Sequence, residues 1–161
     1  HRSPEGVSGG ELAEQLHGGI GAEGTVRAEV VRLRKLLAAG SGLTIASRPY
    51  RLQGNVSSDL LQARAALERG DLDAALDCST GELLPSSDAP EVCRIRRRFD
   101  DHFRELLLEV GTSVQLWRYA QRPAAEHDLE VLMTILELAP ADAPERSWAA
   151  ARARNLRGET C

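Results

Sequence analysis

Apolar residues recur at helical spacing over most of this chain. Ser8 stands three positions before Glu11, which is the capping-box pattern at the start of a helix, and Leu12 and Leu16 then fall on one helix face. The residues from 18 to 24 are too rich in glycine to continue that helix. The pattern therefore predicts a short helix that ends at Gly18, followed by a flexible seven-residue connection.

A second helix is predicted from Thr25, a suitable N-cap residue, to Gly40. It carries one narrow apolar stripe, formed by Val26, Val30, Leu33 and Leu37. The side turned away from the stripe is basic apart from one apolar residue, and consists of Arg27, Val31, Arg34 and Lys35. This helix therefore presents cations to the solvent.

The segment from 43 to 56 has a different pattern. It is rich in β-branched residues and has Arg48 and Pro49 at its centre, where proline suits a turn. We expect two short strands joined at that turn, so that a β-hairpin follows the basic helix.

The remainder of the chain is predicted to be helical. Gly70 and Asp71 join two helices whose facing positions are alanines. A long helix should then run from Pro90 to Gly111, with an apolar stripe of Val92, Ile95, Phe99, Phe103, Leu106 and Val110. Three more helices are separated at Pro123 and at 140–144, and their core should include Trp117, Met133 and Trp148. The predicted fold is mainly α, with one domain over 1–55 that contains the β-hairpin and an all-helical region over 56–161.

The charge is distributed unevenly. The whole chain carries −4, yet residues 25–52 contain six cations against Glu29 alone, so this segment carries +5 and the rest carries −9. A second run of arginines, from Arg94 to Arg98, is followed by carboxylates on the same helix. Pairs such as Arg97 with Asp101 and Asp100 with Arg104 explain that run as a solvated helix face.

Several function classes find no support in the sequence. Cys78, Cys93 and Cys161 are odd in number and widely spaced, which predicts neither a disulfide framework nor a zinc site. The four histidines are scattered and no catalytic or phosphate-binding motif is present, so we expect no enzyme, no cofactor and no metal. No apolar run reaches membrane-spanning length and no signal peptide opens the chain, which favours a cytoplasmic protein.

The basic helix and the hairpin together resemble the recognition helix and wing of OmpR/PhoB-type effector domains. The matching residues are Val26, Val30, Leu33, Arg34 and Leu37 on the helix, and Tyr50, Arg51 and Leu52 on the second strand. The residues that follow, with ARAALERGDLDAALD and GELLPSSDAPEV, are similar to the bacterial transcriptional activator domain of high-GC regulators. The resemblance implies that 1–55 is a winged helix-turn-helix DNA-binding domain that lacks its first helix here, and that 56–161 is a regulatory or dimerisation region. An upstream sensor domain is also expected.

The resemblance also implies how double-stranded DNA would be bound. The helix 26–38 would enter the major groove, with Arg34 reading a guanine, Arg27, Arg32 and Lys35 holding phosphates or flanking bases, and Val31 beside them. In the hairpin 43–53, Arg48 would reach the minor groove or the backbone, while Arg51 contacts phosphate or pairs internally. Self-association as a homodimer and contact with RNA polymerase are further expected partnerships.

Two other interpretations compete with this one. Charged helix faces are usually only solvated, so the basic helix and the hairpin could be a surface without a nucleic-acid partner. Alternatively, the protein is a helical interaction or signalling module that does not bind DNA.

Overall fold

A computed structural model describes residues 5–19 and 22–158 of the chain. The chain divides into two compact units. The first unit comprises residues 1–57 together with 86–95, and the second comprises 58–85 together with 96–161. The division after Ser57 lies close to the predicted domain boundary after residue 55. The grouping of 86–95 with the first unit was not predicted.

In its described residues the first unit contains α1 (Gly9–His17), α2 (Glu23–Ala38), β1 (Thr44–Ala46) and β2 (Arg51–Gln53), together with residues 90–95 of a longer helix. The predicted capping box at Ser8 and Glu11 is present, and its hydrogen bonds hold the pKa of the Glu11 carboxyl below its usual value. Gly18 ends α1 with φ at 69°, a conformation that glycine adopts readily.

The start of α2 differs from the prediction. The helix begins at Glu23 after Ala22, which makes no capping hydrogen bond through its side chain, so the assignment of Thr25 as N-cap is wrong. Gly24 lies inside the helix, and the predicted connection from 18 to 24 is therefore shorter. Residues 20 and 21 of that connection lie outside the described part of the chain.

The two strands form the predicted antiparallel hairpin. Thr44 pairs with Gln53, Ile45 with Leu52 and Ala46 with Arg51. Beyond the hairpin, Val7 pairs with Tyr50 through two backbone hydrogen bonds of 2.9 and 2.8 Å. The segment before α1 is thereby fixed to the end of the hairpin turn.

The core of the first unit is small. Ala13, Val26 and Val30 are buried, and Leu12, Ala22, Ile45 and Tyr50 pack against them. Two of the four predicted stripe residues of α2 are thus confirmed, whereas Leu33 is 44% exposed. The apolar stripe of α2 is longer than α1, the helix that covers it. Helix length is proportional to residue number, and α1 has nine residues whereas α2 has 16, so part of the stripe stays uncovered.

The regular secondary structure of the second unit is helical in its described residues. Its elements are α3 (Asp59–Glu68), α4 (Leu72–Cys78), α5 (Pro90–Val110, of which 90–95 belong to the first unit), α6 (Ser113–Tyr119), a 3₁₀ turn (Pro123–Ala125), α7 (Leu129–Leu138) and α8 (Pro144–Leu156). Ser58, Asp71, Thr112 and Asp128 cap α3, α4, α6 and α7 through their side chains. The protein is mainly α with a small β-hairpin, as the sequence predicted.

The core of the second unit contains most of the large, fully buried side chains of the described residues. Phe103, Leu107, Leu116, Leu132 and Ile135 are fully buried, and Phe103 packs against the rings of Phe99 and Tyr119. Alanines line the close contact between α3 and α4, as expected. Two core predictions are wrong, because Val110 is 65% exposed and Trp148 is 64% exposed.

Arg104 and Asp100 do not form the intrahelical pair that their spacing suggested. Arg104 donates to Asp128 over 2.6 and 3.1 Å and also binds Glu130, while Asp100 accepts from Arg122. Burial alone would raise the pKa of Asp128, but hydrogen bonds from Arg104 and the Val131 amide leave it below its usual value. The arginine thus ties α5 to the beginning of α7. None of the helices in the described residues is both long and apolar enough to traverse a membrane.

Candidate nucleic-acid interface

The candidate interface begins with the two faces of α2. Successive residues of a helix are about 100° apart, so Arg27, Val31 and Arg34 share one face and Val26 and Val30 share another. Burial agrees with this division, since Val26 and Val30 are buried and Val31 is 46% exposed. Packing against α1 and β1 therefore fixes which face of α2 is presented to the solvent.

A groove of about 610 Å³ separates this exposed face from the hairpin turn. Arg27, Val31 and Arg34 form one wall, and Ser47, Arg48 and Pro49 form the other. Three of the predicted cations, two on α2 and one in the hairpin turn, thus lie around one groove. Glu23 is the carboxylate at its edge.

Arg34 links the helix to the hairpin. Its Nε donates to the backbone oxygen of Ile45 over 3.0 Å, and its Nη2 donates to the hydroxyl of Ser47. Two of its donors are therefore already used within the protein. Three of the five N–H donors of the guanidinium remain, but the two bonds hold the side chain against the hairpin and so restrict how it can approach a guanine.

Arg27, Lys35 and Arg48 have exposed side chains, and none of them has a hydrogen-bond or ion-pair partner in residues 5–19 and 22–158. Arg48 lies in the turn with φ at 62°, a conformation that non-glycine residues adopt uncommonly. These three side chains are available to a bound anion.

The other two predicted cations are placed differently. Arg32 forms an exposed ion pair of 3.1 Å with Glu29, one helical turn earlier. Such a pair contributes little to stability and exchanges readily for another anion. Arg51 is exposed on β2, beyond the lining of the groove.

The position of the turn depends on a residue that the sequence analysis did not select. A Cβ atom on Gly6 would lie 2.8 Å from Cγ of Pro49 and 2.9 Å from the oxygen of Tyr50, so only glycine allows this close approach. Ser47, the partner of Arg34, was also missed. Neither Gly6 nor Ser47 stands in a local sequence pattern that predicts its contact. A glycine before the β-branched Val7 is compatible with the Val7–Tyr50 bridge but does not predict it.

Within the described ranges, no group of three or more His, Cys, Asp or Glu side chains could hold a metal ion. Cys78 and Cys93 form no disulfide, and Cys161 lies outside the described residues.

Two comparisons bear on the identity of the chain. Residues 113–160 match the family model of the YTH3-like protein, third C-terminal helical domain. The chain is also 33% identical over 149 residues to the "uncharacterized 47.3 kDa protein in thcA 5′ region" of Rhodococcus erythropolis. That alignment covers 92% of this chain but only 33% of the length of the relative. No solved structure matches the chain.

The family match agrees with the architecture of the second unit. Its range contains α6, the 3₁₀ turn, α7 and α8. This part of the chain is thus a helical domain in both sequence and structure.

Proposed function

We propose that the first unit binds double-stranded DNA as the reader of a transcription regulator of the winged helix-turn-helix type. In this proposal α2 enters the major groove, and the hairpin contacts the backbone or the adjacent minor groove. The second unit would serve regulation or self-association.

The observation that carries the proposal is the grouping of Arg27, Arg34 and Arg48 around the groove between α2 and the hairpin turn. Phosphate contacts supply most of the affinity in non-specific DNA binding, and they need cations that are free to move onto the backbone. Arg27, Lys35 and Arg48 meet this need. Val31 adds an exposed apolar contact of the kind that recognises a thymine methyl group.

The roles differ in one respect from those that the resemblance implies. We assign Arg34 to positioning, because its hydrogen bonds to Ile45 and Ser47 hold the hairpin against α2. Arg27, Lys35 and Arg48 would then hold phosphates, and contact with a base would fall to Val31.

Salt dependence of DNA binding tests the proposal. The full chain is titrated against a fluorescent 30-bp duplex of mixed sequence at several salt concentrations, with anisotropy as the readout. Each neutralised phosphate contributes about −0.9 to the slope of log affinity against log salt. Substituting Arg27→Gln, Lys35→Gln and Arg48→Asn together should therefore reduce the magnitude of the slope by about 2.7. Asparagine is chosen at 48 because it tolerates positive φ.

A matched control removes three exposed arginines from the second unit, by Arg64→Gln, Arg69→Gln and Arg154→Gln. This variant has the same net charge as the first and should retain the wild-type slope. Equal losses in both variants would mean that the duplex senses only net charge, and the proposed interface would be rejected.

A second candidate function is a protein-interaction module that does not bind DNA. Leu36 is 73% exposed and Leu33 is 44% exposed, and both lie on the side of α2 away from Arg27 and Arg34. Exposed apolar side chains that lie together are typical of partner-binding surfaces. Wild-type protein without any salt-dependent duplex binding would favour this candidate over the first.

A further inference from the structure

The groove between α2 and the hairpin turn has a mainly apolar lining in addition to its cations. Val30, Val31, Pro49 and Tyr50 supply the apolar part. Val31 and Pro49 are exposed, whereas Val30 and Tyr50 also pack in the core of the first unit. The volume of about 610 Å³ is typical of small-molecule sites, which are mostly apolar and use a few polar groups to fix the ligand.

The charge around this groove is positive. Arg27, Arg34 and Arg48 line it, and none of them forms an ion pair with a carboxylate in the described part of the chain. The carboxylate of Glu23 also lines the groove, but it lies against the first turn of α1, since a Cβ on Gly10 would be 3.2 Å from Glu23 Oε1. The free amides of a helix N-terminus carry partial positive charge and offset part of that negative charge. The groove therefore favours an anion.

DNA phosphates would use only the cationic part of this groove. A phosphate is charged and strongly hydrated, so it gains nothing from contact with an apolar surface. Val31 is assigned to a base in the proposed DNA complex, but Pro49 and Tyr50 on the hairpin side have no role there. The apolar lining beside the arginines therefore fits a different ligand, in which an anion and an apolar body are joined.

The combination of charge and apolar lining decides the class of this ligand. An organic cation is repelled by the three arginines. A small hydrated anion such as acetate pairs with a guanidinium but leaves the apolar lining uncovered. An uncharged compound covers the lining but makes weaker hydrogen bonds with the guanidinium groups. A carboxylate attached to an apolar body matches both parts of the groove.

We propose that this groove binds a small organic carboxylate with an apolar body. The carboxylate accepts from Arg27 on one wall and Arg48 on the other, and the apolar body covers Val31, Pro49 and Tyr50. Because a duplex would need the same two arginines, the ligand and DNA exclude each other. This exclusion rests on the proposed function, whereas the ligand site itself does not.

Three related probes test the ligand site: phenylacetate, phenylacetamide and acetate. Each is titrated into the full chain at constant ionic strength, and the amide signals of 27–34 and 47–50 are followed by NMR. Phenylacetate should shift these signals saturably, with a dissociation constant of about 1 mM, as is usual for a ligand of this size. Intermolecular NOEs should join its ring protons to the methyl groups of Val31 and the ring of Tyr50. Phenylacetamide should bind at least tenfold more weakly, and acetate should give no saturable shift.

A double variant, Arg27→Gln with Arg48→Asn, tests the two guanidinium groups. Phenylacetate should then bind at least tenfold more weakly, while binding of phenylacetamide should not change. The matched control, Arg64→Gln with Arg69→Gln, makes the same change in net charge in the second unit and should bind phenylacetate like wild type. Equal affinity of wild type for phenylacetate and phenylacetamide, NOEs to other residues only, or equal losses in the two double variants would each overturn the ligand site.

Competition with DNA tests the exclusion. Phenylacetate should release the fluorescent duplex from the full chain over the concentration range in which it saturates the NMR shifts, and acetate at the same ionic strength should not. A duplex that stays bound to protein saturated with phenylacetate would overturn the exclusion. If no duplex binds at all, the proposed function fails by itself, and the NOEs and the double variants still decide the ligand site.

Discussion

Replacing Arg34 with methionine tests whether this residue positions the hairpin or reads a base. Methionine keeps an unbranched apolar stem along the helix but removes every donor of the guanidinium. The hydrogen bonds to Ile45 and Ser47 are then lost. If positioning is the role of Arg34, the hairpin should open more often while the helix stays folded.

The expected magnitude follows from the two hydrogen bonds. A bond from a charged donor contributes about 1.5–3 kcal/mol when it is well buried, but here one of the two is exposed and water can replace it. We therefore expect local opening of the hairpin to become easier by about 1–2 kcal/mol. Since 1.4 kcal/mol is a factor of ten, the amides of β1 and β2 should exchange roughly 5- to 30-fold faster with deuterium.

Hydrogen exchange followed by NMR measures this effect. Arg32→Met is the control, because Arg32 is on the same helix and makes only an exposed ion pair, so exchange should change by less than a factor of about two. Ser47→Ala should accelerate exchange less than Arg34→Met, and the double variant should be less than additive because both lose the same bond. DNA affinity should fall equally for all sequences.

Unchanged exchange in Arg34→Met would refute the positioning role. A change in sequence preference accompanied by unchanged exchange would restore Arg34 as a base-reading residue, as its resemblance to the recognition helix implied.

Three other substitutions test the packing and the electrostatics of the fold. Leu107→Ala should lower the free energy of unfolding by about 2–5 kcal/mol in urea titrations because the side chain is fully buried; a loss below about 1 kcal/mol would contradict this core assignment. Asp128→Asn keeps an N-cap but loses the charged pair with Arg104, and should cost about 1.5–3 kcal/mol at pH 7. Because folding lowers the pKa of Asp128, its contribution is present above pH ~4 and is lost as pH falls through the folded value. The difference in urea midpoint between Asp128→Asn and wild type should therefore shrink as pH falls below ~4, and a constant difference would be inconsistent. Gly54→Ala should destabilise the hairpin by about 1–3 kcal/mol, visible as faster amide exchange, because φ is 115° there and a Cβ would lie 2.7 Å from Cδ2 of Leu43; wild-type exchange rates would disprove it.

The sequence by itself determined the elements of this protein, because their signals are local. The capping box at Ser8, the proline and β-branched pattern of the hairpin, and the spacing of Phe99 and Phe103 each depend on residues within a few positions of one another. Local signals also indicated which face of α2 carries Arg27 and Arg34.

Only the tertiary structure decided what these side chains contact. The pairing of Arg34 with Ser47 and of Arg122 with Asp100 joins residues 13 and 22 positions apart, and nothing in the local pattern identifies such partners. Burial also depends on tertiary contacts. Trp148 and Leu33 are as apolar as core residues, but they are exposed because no described element covers them. Periodicity specifies which residues share a helix face, whereas the packing of other elements against that face decides whether it is buried.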